Sequence, residues 1–124
     1  MQYFLSLGSN INAEANILFA IEKLQKILDM PKFSSIHKTK AEGFEGDDFL
    51  NLVVSGEADL SFDDLNKILK EIEDESGRNR DAPKFSARTL DIDIVLQIDE
   101  DEILYESDEI QKYSFVSEPL KEIL

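Results

Sequence analysis

Cysteine and tryptophan are absent from this 124-residue chain, and histidine occurs once, as His37. Without cysteine there is no disulfide framework and no thiolate for metal binding or nucleophilic attack, a composition that fits the cytosol. A lone histidine excludes a histidine-rich metal site and leaves little room for histidine-based acid–base chemistry. No apolar run approaches the roughly 18 residues that span a bilayer. The opening Met1-Gln2-Tyr3-Phe4-Leu5 lacks the positive charge of a secretory leader, so a cytoplasmic protein without membrane contact is expected. Basic residues are scarce, 13 against 27 acidic, for a net charge of −14. General nucleic-acid binding is thereby disfavoured, because phosphate backbones call for clustered Lys and Arg. The five glycines never fall into Gly-x-x-x-x-Gly-Lys or Gly-x-Gly-x-x-Gly, which excludes P-loop, Rossmann and protein-kinase architectures.

What is present suits one globular domain spanning residues 1–124, because 42% apolar residues can fill a single core at this length. A monomer or weak homo-oligomer is expected. The charge is uneven. Gln97 to Leu124 carries nine acidic and two basic residues, half of the net total, whereas Ser76 to Leu90 sets Arg78, Arg80, Lys84 and Arg88 against Asp81 alone. Such an island is either a solvated loop offsetting nearby carboxylates or an anion-binding segment.

Periodicity predicts a strand over Tyr3 to Leu7, broken by Gly8-Ser9-Asn10, then a helix over Ala13 to Leu28 with Asn12 as N-cap. A second strand is expected over Phe33 to Thr39, a loop over Lys40 to Asp48, and a third strand over Phe49 to Ser55. In that third strand Leu50, Leu52 and Val54 face one way and Asn51 the other. Ser61-x-x-Asp64 predicts the start of a second helix and Gly77 its stop. Leu90 to Leu96 reads as a fourth strand, with Leu90, Ile92, Ile94 and Leu96 facing the core. The tail has no clear periodicity. The order strand-helix-strand, strand-helix-strand predicts an α+β, ferredoxin-like βαββαβ sandwich: a four-stranded, mainly antiparallel sheet with both helices on one face. Its other face is left for solvent, tail or ligand.

Asp91 and Asp93 then share that other face, their Cα atoms roughly 6.6 Å apart by strand rise. Neighbouring carboxylates repel, and a hard divalent cation resolves the conflict; oxygen ligands completed by water and phosphate are the usual Mg²⁺ arrangement. Taken alone, Asp-x-Asp is a weak signal and is more often the polar side of a half-exposed strand. The basic island running into it through Arg88 is what a Mg²⁺–polyphosphate requires, metal for some oxygens and guanidinium forks for others.

Three stretches, Ser6-Leu7-Gly8-Ser9-Asn10, Phe49-Leu50-Asn51, and Gly77-Arg78-Asn79-Arg80 leading to Ala87-Arg88-Thr89-Leu90-Asp91-Ile92-Asp93-Ile94, resemble the 6-hydroxymethyl-7,8-dihydropterin pyrophosphokinases. The resemblance runs from Met1 to about Leu96 and resumes at Phe115 to Ile123. It implies a folate-pathway transferase moving pyrophosphate from ATP to the hydroxymethyl oxygen of the pterin, with the two small molecules as its partners. By that resemblance Asp91 and Asp93 hold two Mg²⁺ ions, while Arg78 and Arg88 stabilise charge on the transferred phosphates. Arg80, Glu73 and Ile94 belong to the nucleotide site. Thr39, Gly43, Asn51 and Phe115 contact the pterin, and Phe85 stands where the family often has Trp.

Simpler readings stand beside these. Asn51 satisfies backbone groups, Phe115 packs the tail on the sheet, Glu73 is a solvated helix residue, and His37 is a satisfied strand residue. The chain also departs from the family pattern. The family's Val-Pro-His segment has no counterpart in the shorter, acidic stretch from Glu102 to Lys112, and Tyr113 takes the place of an arginine. After Glu118-Pro119-Leu120 the sequence ends at Leu124, where typical members continue. The expected function is therefore pyrophosphoryl transfer with a trimmed nucleotide site. The alternative is a catalytically impaired relative that binds a pterin or a partner.

Overall fold

The computed structural model describes residues 1–40, 47–78 and 89–124. The chain builds a mixed α/β fold around one antiparallel sheet. Its strands are β1 (Gln2–Ser9), β2 (Asp29–Phe33), β3 (His37–Thr39), β4 (Phe49–Glu57), β5 (Asp91–Asp99) and β6 (Glu102–Glu106). Helices α1 (Ala13–Gln25), α2 (Phe62–Glu75), α3 (Glu109–Lys112) and α4 (Ser114–Ile123) complete it. The strand order is β2-β4-β1-β5-β6, with β3 also pairing β4.

Among the described residues six strands replace the four expected, for two local reasons. The strand predicted over Phe33 to Thr39 is interrupted at Ser34, whose Oγ accepts from the Val53 amide at 2.9 Å while its own amide donates to the Val53 carbonyl. A hydroxyl standing in for a backbone acceptor splits the segment into β2 and β3. The unpredicted β6 is exposed along its length, so it lacks the buried alternation that marks a strand in sequence.

Helix starts and stops follow local chemistry. Ser61 caps α2 by accepting from the Asp64 amide at 3.1 Å. Gly77 closes the same helix at φ 89°, a conformation open to glycine. Asn12 does precede α1, but it is left-handed at φ 46° and makes no side-chain cap. That helix ends at Gln25 rather than at the predicted Leu28, although Leu28 stays buried.

The sheet separates two apolar layers. On one face Tyr3, Leu5, Leu7, Leu52, Val54, Ile92 and Ile94 pack against Ile17, Ala20 and Leu24 of α1 and Leu65, Leu69 and Ile72 of α2. On the other, Phe4, Val53, Val95 and Leu96 receive Val116 and Leu120 of α4. The expected core position of Leu96 is thus corrected. The β1–β5 register shifts between Phe4 and Leu5, and a bulge there turns Leu96 to the α4 side. Upstream of the bulge the alternation is kept, so Asp91 and Asp93 lie opposite the α1/α2 core.

Candidate active site

The ladder assembles the site one row at a time. Gly8 of β1 pairs with Asp91 of β5 on one side and Asn51 of β4 on the other, and Asn51 in turn pairs with His37 of β3. Asp91 and Asn51 are therefore two strand spacings apart on one face, roughly 10 Å, with a glycine between them. That glycine matters sterically. A Cβ on Gly8 would stand 3.0 Å from Asn51 Oδ1 and 3.8 Å from a Phe49 ring carbon. Asn51 is buried and donates from Nδ2 to Thr39 Oγ1 at 2.7 Å. Its simpler reading, backbone satisfaction at a strand edge, gives way to a side-chain pair with Thr39.

Next along β5, Asp93 sits opposite Ser6. Because β6 pairs only with Leu96 to Asp99, the stretch of β5 that carries both aspartates forms a sheet edge among the described residues. Side chains of α2 close that edge. Ile92 donates its amide to Glu73 Oε2 at 2.7 Å, and its carbonyl accepts from Lys70 Nζ at 3.1 Å. Glu73 is fully buried, so it is no solvated helix residue. Its carboxylate is shared by Lys70 and Arg78, each at 3.0 Å. From there the two cations reach around the edge to the aspartates. Lys70 Nζ lies 3.3 Å from Asp93 Oδ1, and Arg78 Nη1 lies 2.8 Å from Asp91 Oδ1 and 3.1 Å from the Leu90 carbonyl. Glu73 thus anchors two cations, and each cation holds one aspartate.

The electrostatics follow from this crowding. Burial, and then Asp91, push the Asp93 carboxyl up to about 7, against the opposing pull of Lys70. Burial lowers the Lys70 ammonium, but Asp93 and Glu73 outweigh it and hold the group above its ordinary value. Glu109 of α3 also faces the cluster. Its carboxyl is raised by burial and then by the charges of Asp91 and Asp108. The acidic stretch that stands where the family carries a histidine therefore brings a carboxylate toward the aspartate pair.

The rest of this face is formed by the tail. Tyr113 and Phe115 stack at 4.8 Å between ring centroids, 19° apart in plane, and both pack on the α4-side core. His37 Nε2 meets Glu122 Oε2 at 2.5 Å, and Glu122 also accepts from the Ser35 amide and hydroxyl. This clasp ties α4 to the turn between β2 and β3. Separately, a cleft of about 750 Å³ opens at the start of α1, lined by Asn12, Glu14, Lys38, Asp47, Asp48 and Leu50 among others. Among the described residues, none of the predicted site residues lines it.

Of the predicted residues, Asp91, Asp93, Arg78 and Glu73 form one contact network, and Asn51 with Thr39 flanks it across Gly8. Phe115 lies on the same face of the sheet. The Ile94 side chain is buried in the opposite core. Gly43, Arg80, Phe85 and Arg88 lie outside the described residues. Sequence reasoning missed Lys70 and Glu109. Lys70 stands three residues before Glu73, an i,i+3 pair that on a helix signals neighbouring side chains.

The family model for 7,8-dihydro-6-hydroxymethylpterin-pyrophosphokinase matches residues 4–124. The chain belongs to the hydroxymethylpterin pyrophosphokinase family. Similar to it is the 2-amino-4-hydroxy-6-hydroxymethyldihydropteridine pyrophosphokinase of Aquifex aeolicus, 40% identical over 99 residues, covering 78% of this chain and 61% of that protein. The enzyme of the same name from Bacillus subtilis is 31% identical over 128 residues, covering 97% of this chain and 76% of that protein. A folate synthesis bifunctional protein of Arabidopsis thaliana is 28% identical over 127 residues, which is 97% of this chain and 26% of that protein. Among the described residues of this pyrophosphokinase-family chain, no helix is long and apolar enough to cross a membrane.

Proposed function

We propose that the chain transfers the β,γ-pyrophosphoryl group of ATP to the hydroxymethyl oxygen of 6-hydroxymethyl-7,8-dihydropterin, a step of folate biosynthesis. The observation that carries this reading is the row Asn51–Gly8–Asp91, with Asp93 beside it and the Glu73–Lys70–Arg78 clamp behind. The hydroxymethyl oxygen forms a bond to the β-phosphorus, the bond from that phosphorus to the oxygen bridging the α-phosphate breaks, and AMP leaves with that oxygen. The hydroxyl proton passes to solvent or base.

Asp91 and Asp93 would hold Mg²⁺. Both are only partly buried, about 36% and 37% exposed, and they offer hard oxygen donors side by side. Bound there, Mg²⁺ supplies charge neutralisation on the phosphate oxygens. Asn51 presents an amide with both donor and acceptor to the pterin edge, and Thr39 orients it. The bare surface of Gly8 lets a flat ring approach the sheet. Phe115, stacked on Tyr113, offers an aromatic face to the same ring. Arg78, engaged with Glu73, Asp91 and Leu90, is a positioning residue for Asp91. Arg88 and Arg80 are assigned to the phosphates and Gly43 to the pterin by the resemblance alone.

For the fold itself, we propose a ferredoxin-like core. The order β2/β3-β4-β1-β5 with α1 and α2 on one face supports it, and β6, α3 and α4 are then additions. Incubation with Mg²⁺, ATP and hydroxymethyl-dihydropterin should release AMP. Absence of AMP with pterin binding retained in calorimetry would reject the enzyme in favour of a pterin-binding relative. The Glu109 carboxyl facing Asp91 favours that second reading, because it adds repulsion where a triphosphate would lie.

A further inference from the structure

One carboxylate oxygen of Asp93, Oδ1, already has a cationic partner. Lys70 Nζ lies 3.3 Å from Asp93 Oδ1 while donating to Glu73 Oε2 and to the Ile92 carbonyl. The last two contacts fasten the ammonium to a fully buried carboxylate and to the sheet backbone, so the charge is built into the site and is no chance surface pair. A cation approaching Asp93 meets a resident positive charge at a few ångströms, in surroundings that salt screens poorly. Arg78 makes the matching bridge to Asp91, but it is about 11% exposed against 34% for Lys70. Lys70 is therefore the cation of the pair with room to turn toward a ligand. A triphosphate would supply the missing negative charge and give a flexible, three-donor ammonium a second place to bind.

We propose that Lys70 is a positioning residue that makes divalent-cation binding at Asp93 depend on a bound nucleotide triphosphate. This rests on the metal role proposed above for Asp91 and Asp93. In the absence of nucleotide, Lys70 competes for Asp93 and free metal binds weakly. With the triphosphate in place the ammonium is drawn off or shared, and metal and nucleotide strengthen one another by the same factor, as linkage requires.

Calorimetry of the full chain with Mn²⁺ alone tests this. Lys70→Gln, which keeps an amide donor for Glu73 and Ile92 but removes the charge, should bind Mn²⁺ about fivefold tighter or more. Lys70→Arg should match the parent. A non-hydrolysable ATP analogue, titrated in EDTA and in saturating Mn²⁺, gives the coupling as a ratio of affinities. That ratio should shrink in Lys70→Gln by the factor gained for free Mn²⁺. Unchanged Mn²⁺ affinity in a folded Lys70→Gln protein, or an equal gain in Lys70→Arg, overturns the proposal. Should neither variant fold, the parent still decides: Mn²⁺ binding without nucleotide at about micromolar affinity or tighter refutes competition by the lysine. A parent that binds no Mn²⁺ even with the analogue refutes the underlying metal reading instead.

Discussion

Removing Glu73 should disturb both the stability of the sheet edge and the order of the aspartate pair. Its fully buried carboxylate accepts the Ile92 amide at 2.7 Å and balances Lys70 and Arg78, each at 3.0 Å. Glu73→Leu strips two cations of their common partner and leaves a buried amide without its acceptor. Breaking a buried ion pair from one side costs about 3–5 kcal/mol. Arg78 keeps Asp91 and Lys70 keeps Asp93, which places the expected loss near the lower end, about 3 kcal/mol. Glu73→Gln keeps one acceptor oxygen for Ile92 and Lys70 but sets an NH2 against Arg78 and gives up the charge, an expected loss of about 2 kcal/mol. For a chain of this length about 4 °C of melting temperature corresponds to 1 kcal/mol, so the leucine variant should melt about 12 °C lower. Urea unfolding followed by circular dichroism, extrapolated linearly to water, measures the same quantity. A leucine variant within about 1 kcal/mol of the parent would refute the clamp. So would a glutamine variant that loses as much as the leucine one.

Three other outcomes are expected. Asp93→Ala should abolish AMP release while changing stability by no more than about 1 kcal/mol, since the carboxylate is partly exposed and its loss relieves repulsion from Asp91; turnover at the parental rate sinks the metal assignment. Gly8→Ala places a Cβ 3.0 Å from Asn51 Oδ1 and should raise the KM for the pterin by about tenfold with little change in kcat, at a stability cost of about 1–3 kcal/mol; steady-state kinetics with an unaltered pterin KM would contradict the seat proposed for Asn51. The Ser35 amide, then His37 and the Ser35 hydroxyl, hold the Glu122 carboxyl down at about 2 from its ordinary 4.5. Because the folded value is the lower one, this group's contribution to stability is complete above pH 4.5 and is lost as pH falls through about 2. Glu122→Gln should therefore flatten the acid-side fall of stability over that window, and parallel curves for variant and parent would reject the clasp.

The signals legible in sequence were those governed by near neighbours. Alternation in Phe49 to Ser55 put Asn51 on the face opposite Leu50, Leu52 and Val54, and in β5 it put Asp91 and Asp93 together, as the two apolar layers require. Ser61 and Gly77 marked the bounds of α2 because capping and a left-handed stop are local effects. Leu96 was misassigned because a bulge is decided by how β5 meets β1. The break at Ser34 escaped for the same reason, since its hydroxyl works only against Val53 of another strand. The long composite run ending in Asp91-Ile92-Asp93-Ile94 carried the family likeness, which the match over residues 4–124 bears out.

What the sequence alone determined, then, was the periodic skeleton, the acidic pair and the family. Tertiary structure decided what surrounds the pair. Lys70 and Glu73 precede Asp93 by 23 and 20 positions in the chain, and only the packing of α2 along β5 turns an ordinary helix glutamate into a buried anchor for two cations. Burial and long-range charge depend on which distant segments exclude water from one another, and no local pattern of residues encodes that.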